Sequence, residues 1–176
     1  METTTHATGS AVSADGTTIG YRQLGRGPGI ILVHGSMSSG YNHLQLAEAL
    51  ADAFTLYLPD RRGRGLSGPY QPGDGIQQEA DDLDAVLAAT GAHNIFAVSV
   101  GADIALQAAT RSAAIGKLAL YEPLLFPDQA TGKAAMARYD QQLAAGKTSA
   151  ALATAMRPRS SAPRSSMPCH TGCWPP

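Results

Sequence analysis

The spacing of apolar and polar positions changes period several times along the chain, and each change marks an element. Ala11-Val12-Ser13 and Thr17-Thr18-Ile19-Gly20-Tyr21 flank Asp15-Gly16 and read as two strands of a hairpin. Residues 1–8 carry no such pattern and are expected to be disordered. After the turn Gly25-Arg26-Gly27-Pro28-Gly29, Ile30-Ile31-Leu32-Val33 is apolar at every position, as in a strand covered on both faces. Leu44, Leu46, Ala47, Leu50 and Ala51 recur at helical spacing, and Phe54-Thr55-Leu56-Tyr57-Leu58 is a further strand stopped by Pro59. Ile76, Ala80, Leu83, Val86 and Leu87 form one stripe of a helix reaching Thr90, with Gly91 as its C-cap. Glu79, Asp81, Asp82 and Asp84 lie off that stripe and read as a solvated acidic face. Asn94 to Val98 is a strand that turns at Ser99 into a helix from about Val100 to Arg111, and Lys117 to Tyr121 is a strand closed by Glu122-Pro123.

Two early strands followed by strand–helix repeats predict an α/β fold, a mostly parallel sheet flanked by helices. Ligands of such sheets bind beyond the carboxyl ends of the strands. His34, Asp60 and Ser99 each fall just past a predicted strand end. The spacing thus assigns residues 9–126 to a core domain. Residues 127–156 are alanine-rich, helical in pattern and interrupted at Gly146, as a cap-like segment would be. Residues 157–176 are rich in Pro, Ser and Arg, hold both cysteines, the single Trp and five of the eleven prolines, and are expected to be disordered.

Three stretches carry candidate chemistry. Ala97-Val98-Ser99-Val100-Gly101 places a serine between small residues at a strand-to-helix turn, the pattern of a nucleophile elbow with alanine at the first glycine position. Asp60-Arg61-Arg62-Gly63-Arg64-Gly65-Leu66-Ser67 fits D-x-R-G-x-G-x-S at every fixed position, and Val33-His34-Gly35 precedes it. In this order the three motifs resemble the α/β-hydrolase family over roughly residues 12–125. The resemblance implies a partial α/β-hydrolase fold of serine-esterase type, with Ser99 as nucleophile and the Val100 N–H as one oxyanion donor. The second donor would come from Ser36 or Met37. His34 and Gly35 would shape the oxyanion turn, with His34 not acting as base. Asp60, Arg62, Gly63, Gly65, Ser67, Ala97 and Gly101 would be structural motif residues. Arginines such as Arg61, Arg62 and Arg64 commonly bond backbone carbonyls and hold loops. Asp103, one turn into the helix, is expected to face away from the pocket, and His43 and His93 to lie on the surface. Relatives with aspartate at the elbow, dehalogenases and epoxide hydrolases, use a different nucleophile.

Composition narrows the setting. The formal net charge of −1 gives no nucleic-acid or membrane signature, and no run reaches the roughly 18 apolar residues that span a bilayer. The N-terminus lacks the regions of a signal peptide, so a cytoplasmic protein is expected. Cys169, His170 and Cys173 have no second pair to complete a zinc site, and neither metal nor organic cofactor is implied.

The family order places the acid and the histidine of the triad after the serine. Glu122 and Asp128 are weak candidates for the acid, and His170, in the tail, is the one histidine after the elbow. The missing later strands and the compositional break at Arg157 suggest a truncated hydrolase ending in unrelated sequence. The expectation is therefore a hydrolase of small-molecule esters or related acyl compounds, inactive or weakly active. An alternative is a non-catalytic fragment acting in binding, and a cofactor-free haloperoxidase-like or C–C bond hydrolase activity is a third reading on the same scaffold. An unpaired sheet edge would favour self-association.

Overall fold

The computed structural model describes residues 6–124 and 129–155 of the 176. The chain divides into two units, Met1–Leu124 and Leu125–Pro176. The first unit carries β1 (Ala7–Val12), β2 (Thr18–Gly25), β3 (Gly29–Val33), α1 (Leu44–Leu50), β4 (Thr55–Pro59), α2 (Ile76–Thr90), β5 (Asn94–Val98), α3 (Val100–Ala109) and β6 (Lys117–Tyr121). The second contains α4 (Gln129–Ala144) and α5 (Thr148–Ala155). Gly146, at φ 69°, separates these two helices, where only glycine adopts a left-handed conformation without cost.

The six strands form one sheet in the order β1-β2-β4-β3-β5-β6. The β1–β2 and β2–β4 pairs are antiparallel, and β4–β3, β3–β5 and β5–β6 are parallel. Consecutive side chains of a strand point to opposite faces, so β3 serves two cores. Ile31 and Val33 join Leu83, Val86, Ile104 and Ala105 beneath α2 and α3. Leu32 joins Leu24, Ala47, Leu56 and Leu58 beneath α1. This is why Ile30–Val33 is apolar at every position.

Two differences from the sequence reading concern the first strands. β1 opens at Ala7, inside the stretch expected to be disordered, and pairs with β2 from Ala7↔Gln23 to Val12↔Thr18. Backbone hydrogen bonds make that ladder without help from side-chain pattern. Gly9 lies under the Tyr21 ring, where a Cβ would come within 2.6 Å of the ring carbon. β2 also runs on to Gly25 through the polar Arg22 and Gln23, because it is paired on both sides, with β1 and with β4.

The acidic face of α2 is the larger correction. Glu79 and Asp82 are 8% and 5% exposed, not solvated. Asp82 receives Arg62 Nη2 at 2.7 Å and Nε at 2.8 Å, while Glu79 receives Arg61 Nη2 at 2.8 Å. Asp81 and Asp84 both face Arg111. Carboxylates on a helix can be buried when guanidinium groups meet them, and the arginines lie in a loop some eighteen residues earlier, beyond the reach of helical periodicity.

Candidate active site

The parallel strands β3, β4, β5 and β6 end at Val33, Pro59, Val98 and Tyr121, so the residues that follow them gather along one edge of the sheet. These are His34, Asp60, Ser99 and Glu122. Ser99 has φ 54° and ψ −127°, a backbone conformation that side-chain-bearing residues seldom adopt. Its N–H donates to Tyr121 O at 2.9 Å and its carbonyl accepts from Ala102 N at 2.8 Å. The turn is thus fixed on one side by β6 and on the other by the first turn of α3. Val100 is the first residue of α3, so its N–H has no acceptor within the helix, and the helix N-terminus favours negative charge beside it.

Small residues let the turn close. A Cβ on Gly101 would sit 2.6 Å from His34 O and 2.7 Å from Val33 O. Ala97 is fully buried in the same core, where its one methyl takes the place of the elbow's usual glycine. A Cβ on Gly35 would lie 3.1 Å from Ser99 Cβ and 3.7 Å from its Oγ, so the loop after β3 runs directly beside the serine. Ser36 and Met37 continue that loop in exposed positions, Met37 at φ 52° and 69% exposed.

His34 is fully buried and both ring nitrogens are engaged. Nε2 accepts the Arg61 N–H at 3.1 Å, which places the proton on Nδ1, and Nδ1 donates to Gly35 O at 2.8 Å. Burial lowers its pKa to about 4, and the nearby Arg61 charge lowers it further, against the opposing pull of the Gly35 carbonyl. The ring is a neutral strut between two loops. Arg61 adds a second brace, with Nη1 donating to Gly35 O at 3.2 Å while Glu79 holds the rest of the guanidinium.

Asp60 organises the next loop. Its Oδ1 accepts from Gly40 N at 2.7 Å, and its Oδ2 accepts from Leu66 N at 2.8 Å and Arg22 Nη1 at 2.9 Å. Burial alone would raise its pKa, but these donors hold it below the usual carboxylate range. Ser67 Oγ donates to Asp60 O and accepts from Gly20 N at 3.0 Å, tying the loop to β2. Gly63 and Gly65 have φ 72° and 42°, and a Cβ on Gly65 would come within 2.1 Å of Asp60 Oδ2. Arg62 is not a carbonyl-bonding arginine. Its side chain is fully buried among Asp82 at 2.7 Å, Asp15 at 2.9 Å and Asp74 at 2.9 Å. Those carboxylates, Asp82 foremost, raise its pKa, and it lowers Asp15 to about 2 together with the Thr17 bonds. Arg64 does bond a carbonyl, that of Gly63 at 3.2 Å.

The remaining sequence candidates separate. Glu122 follows the Val98–Tyr121 register pair, exposed and at φ 50°. Asp103 Oδ1 accepts from Leu124 N at 2.9 Å, holding the chain where it leaves β6. His43 is half-buried rather than on the surface, and burial lowers its pKa. His93 is exposed and its Nδ1 meets Ala114 O, at the opposite end of β5 from Ser99. Asp128, His170, Cys169 and Cys173 lie outside the described residues. Among the described residues no group of three or more His, Cys, Asp or Glu could hold a metal ion, and no helix is long and apolar enough to cross a membrane. Sequence reasoning missed the Arg61–Glu79 and Arg62–Asp82 braces. Their only signal was charge balance between the loop and α2.

A sequence model of the Alpha/beta hydrolase family matches residues 30–171. An N-formylmaleamate deformylase of Pseudomonas putida is 36% identical over 124 residues, 68% of this chain and 46% of that protein. A cis-3-alkyl-4-alkyloxetan-2-one decarboxylase of Shewanella oneidensis is 32% identical over 81 residues, 43% of this chain and 25% of that protein. The crystal structure of an α/β hydrolase from Sphaerobacter thermophilus superimposes with a TM-score of 0.74 at 36% identity, over 84% of this chain and 59% of that one. The chain therefore spans less than half the length of the curated relatives it matches. With the strand-ending loops arranged as described and the family matched over most of its length, the chain belongs to the α/β hydrolase family.

Proposed function

We propose that this chain holds the nucleophile and oxyanion half of a serine hydrolase acting on a small-molecule ester or related acyl compound. The observation that carries the reading is Ser99 at φ 54° on the turn between β5 and α3, with Gly35 beside it. In this reading Ser99 Oγ attacks the acyl carbon and forms an acyl-enzyme. The Val100 N–H and the N–H of Ser36, or of Met37, receive the developing oxyanion. One such donor contributes about 2.7–4 kcal/mol of transition-state stabilisation. The strained turn lifts the hydroxyl clear of the backbone, and the His34 and Arg61 braces keep the oxyanion loop from drifting. The Pseudomonas putida relative is named for removing a formyl group, the smallest acyl group, which supports an acyl substrate. His34 does not serve as base, because both nitrogens are committed to the loop. The base in this family order follows the serine, and the chain's own histidine there is His170.

A fluorophosphonate probe tests the assignment. Labelling of the folded chain that disappears in Ser99→Ala is the expected outcome. Labelling that survives Ser99→Ala would remove the serine from its role.

A further inference from the structure

The sheet is unevenly covered. Parallel strands are ordinarily buried on both faces, because the crossover helices pack there. One face is closed by α2 and α3 over β3, β5 and β6. On the other face α1 covers β4 and part of β3, and an open apolar groove of about 550 Å³ continues beside it. Ile30 and Leu32 of β3, Phe96 of β5 and Ala119 of β6 form its floor, and Leu46 and Leu50 of α1 form one wall. Ala119 is exposed and Leu46 is 39% exposed. β6 borders the same groove, and among the described residues its one strand neighbour is β5.

From β3 outward the sheet grows in one direction by parallel strands, β3 to β5 to β6. What fits beyond is therefore a polypeptide with a parallel strand for the β6 edge and an apolar helix lying beside α1. An edge strand offers its backbone groups to such a partner. The matched relatives are about twice as long, so more than half of the Pseudomonas putida protein lies outside its match with this chain. A second copy of this chain presents no spare helix of that kind from its first unit, since α1, α2 and α3 already bury their apolar faces in its own cores.

We infer that the Ile30–Phe96–Ala119 groove and the β6 edge form a docking surface for a separate strand–helix polypeptide of the α/β-hydrolase type, the complementary part of the fold. Docking there extends the sheet on the side of Ser99 and Glu122, where the catalytic edge lies.

The test co-expresses the full chain with the part of the Sphaerobacter thermophilus α/β hydrolase that follows its match with this chain, and measures the complex by size-exclusion chromatography with light scattering. The expected result is a soluble one-to-one complex. Ala119→Arg and Leu46→Arg, at exposed groove positions, are expected to weaken it at least tenfold, while Val12→Arg on the opposite edge strand leaves it unchanged. Ser99→Ala is expected to bind like the unchanged chain, which separates docking from the proposed chemistry. Absence of a complex, a complex indifferent to both groove substitutions, or a groove-dependent homodimer in its place would overturn the inference.

Discussion

His34 carries more of the site's architecture than its position after a strand suggests. One ring nitrogen takes the Arg61 N–H and the other reaches Gly35 O, so the imidazole is needed neutral. Its folded-state pKa of about 4 lies below the ordinary value of 6.5. An unfolded chain therefore takes up a proton near pH 6.5 that the folded chain refuses until about pH 4. The stabilisation is complete above about pH 6.5 and is lost as the pH falls toward 4, amounting to about 3 kcal/mol across that window. Urea unfolding at pH 7.5, 6, 5 and 4, as assay conditions, should show this decline, and His34→Asn should flatten it. An equally steep decline in His34→Asn would assign the effect to other groups, such as the carboxylates around Arg62. Asp60 acts in the same way from the other side of the loop, accepting from Gly40, Leu66 and Arg22 together.

The elbow is decided by how closely α3 can approach β3. Gly101 has no room for a methyl group, with two backbone carbonyls within 2.7 Å of where a Cβ would stand. Backbone atoms in a parallel ladder cannot give way singly, so a side chain here must push the whole first turn of α3 outward. Gly101→Val is expected to cost about 1–3 kcal/mol in thermal or urea unfolding, as overpacking does, and to abolish fluorophosphonate labelling by shifting Ser99. A variant that keeps both stability and labelling would show that the close approach is dispensable. The loop from Asp60 to Ser67 follows the same logic. Its glycines take left-handed turns, and its arginines anchor it to α2 through Glu79 and Asp82.

The first unit as a whole presents a nucleophile turn, an oxyanion loop and a braced second loop along one sheet edge, and that edge continues into an unpaired β6. Loss of the histidine from a serine triad lowers turnover on the order of 10⁶, while oxyanion stabilisation and binding retain roughly 10³–10⁴ over water. The chain alone is therefore expected to turn over p-nitrophenyl acetate slowly or not at all, even where a fluorophosphonate reacts with Ser99. Rapid steady-state turnover abolished by Ser99→Ala would mean that the chain supplies its own base. The same unpaired edge makes the isolated chain prone to associate, which the docking experiment reads directly.

Much of this was legible in the sequence, because the decisive features are local. Ile30–Val33, the stripe from Ile76 to Leu87, the strand before Ser99 and the glycines of the Asp60 loop each announce themselves through period, capping or backbone freedom. Three motifs in order also carried the family. What required the tertiary structure were contacts between charges distant in sequence and pairings made by backbone alone. Glu79 and Asp82 read as solvated until the loop arginines were placed against them. β1 from Ala7 and the polar part of β2 have no side-chain signature, since a ladder of N–H and C=O groups needs none. The commitment of both His34 nitrogens, and the open face beside α1, depend on how loops and layers meet in space, which no spacing along the chain records.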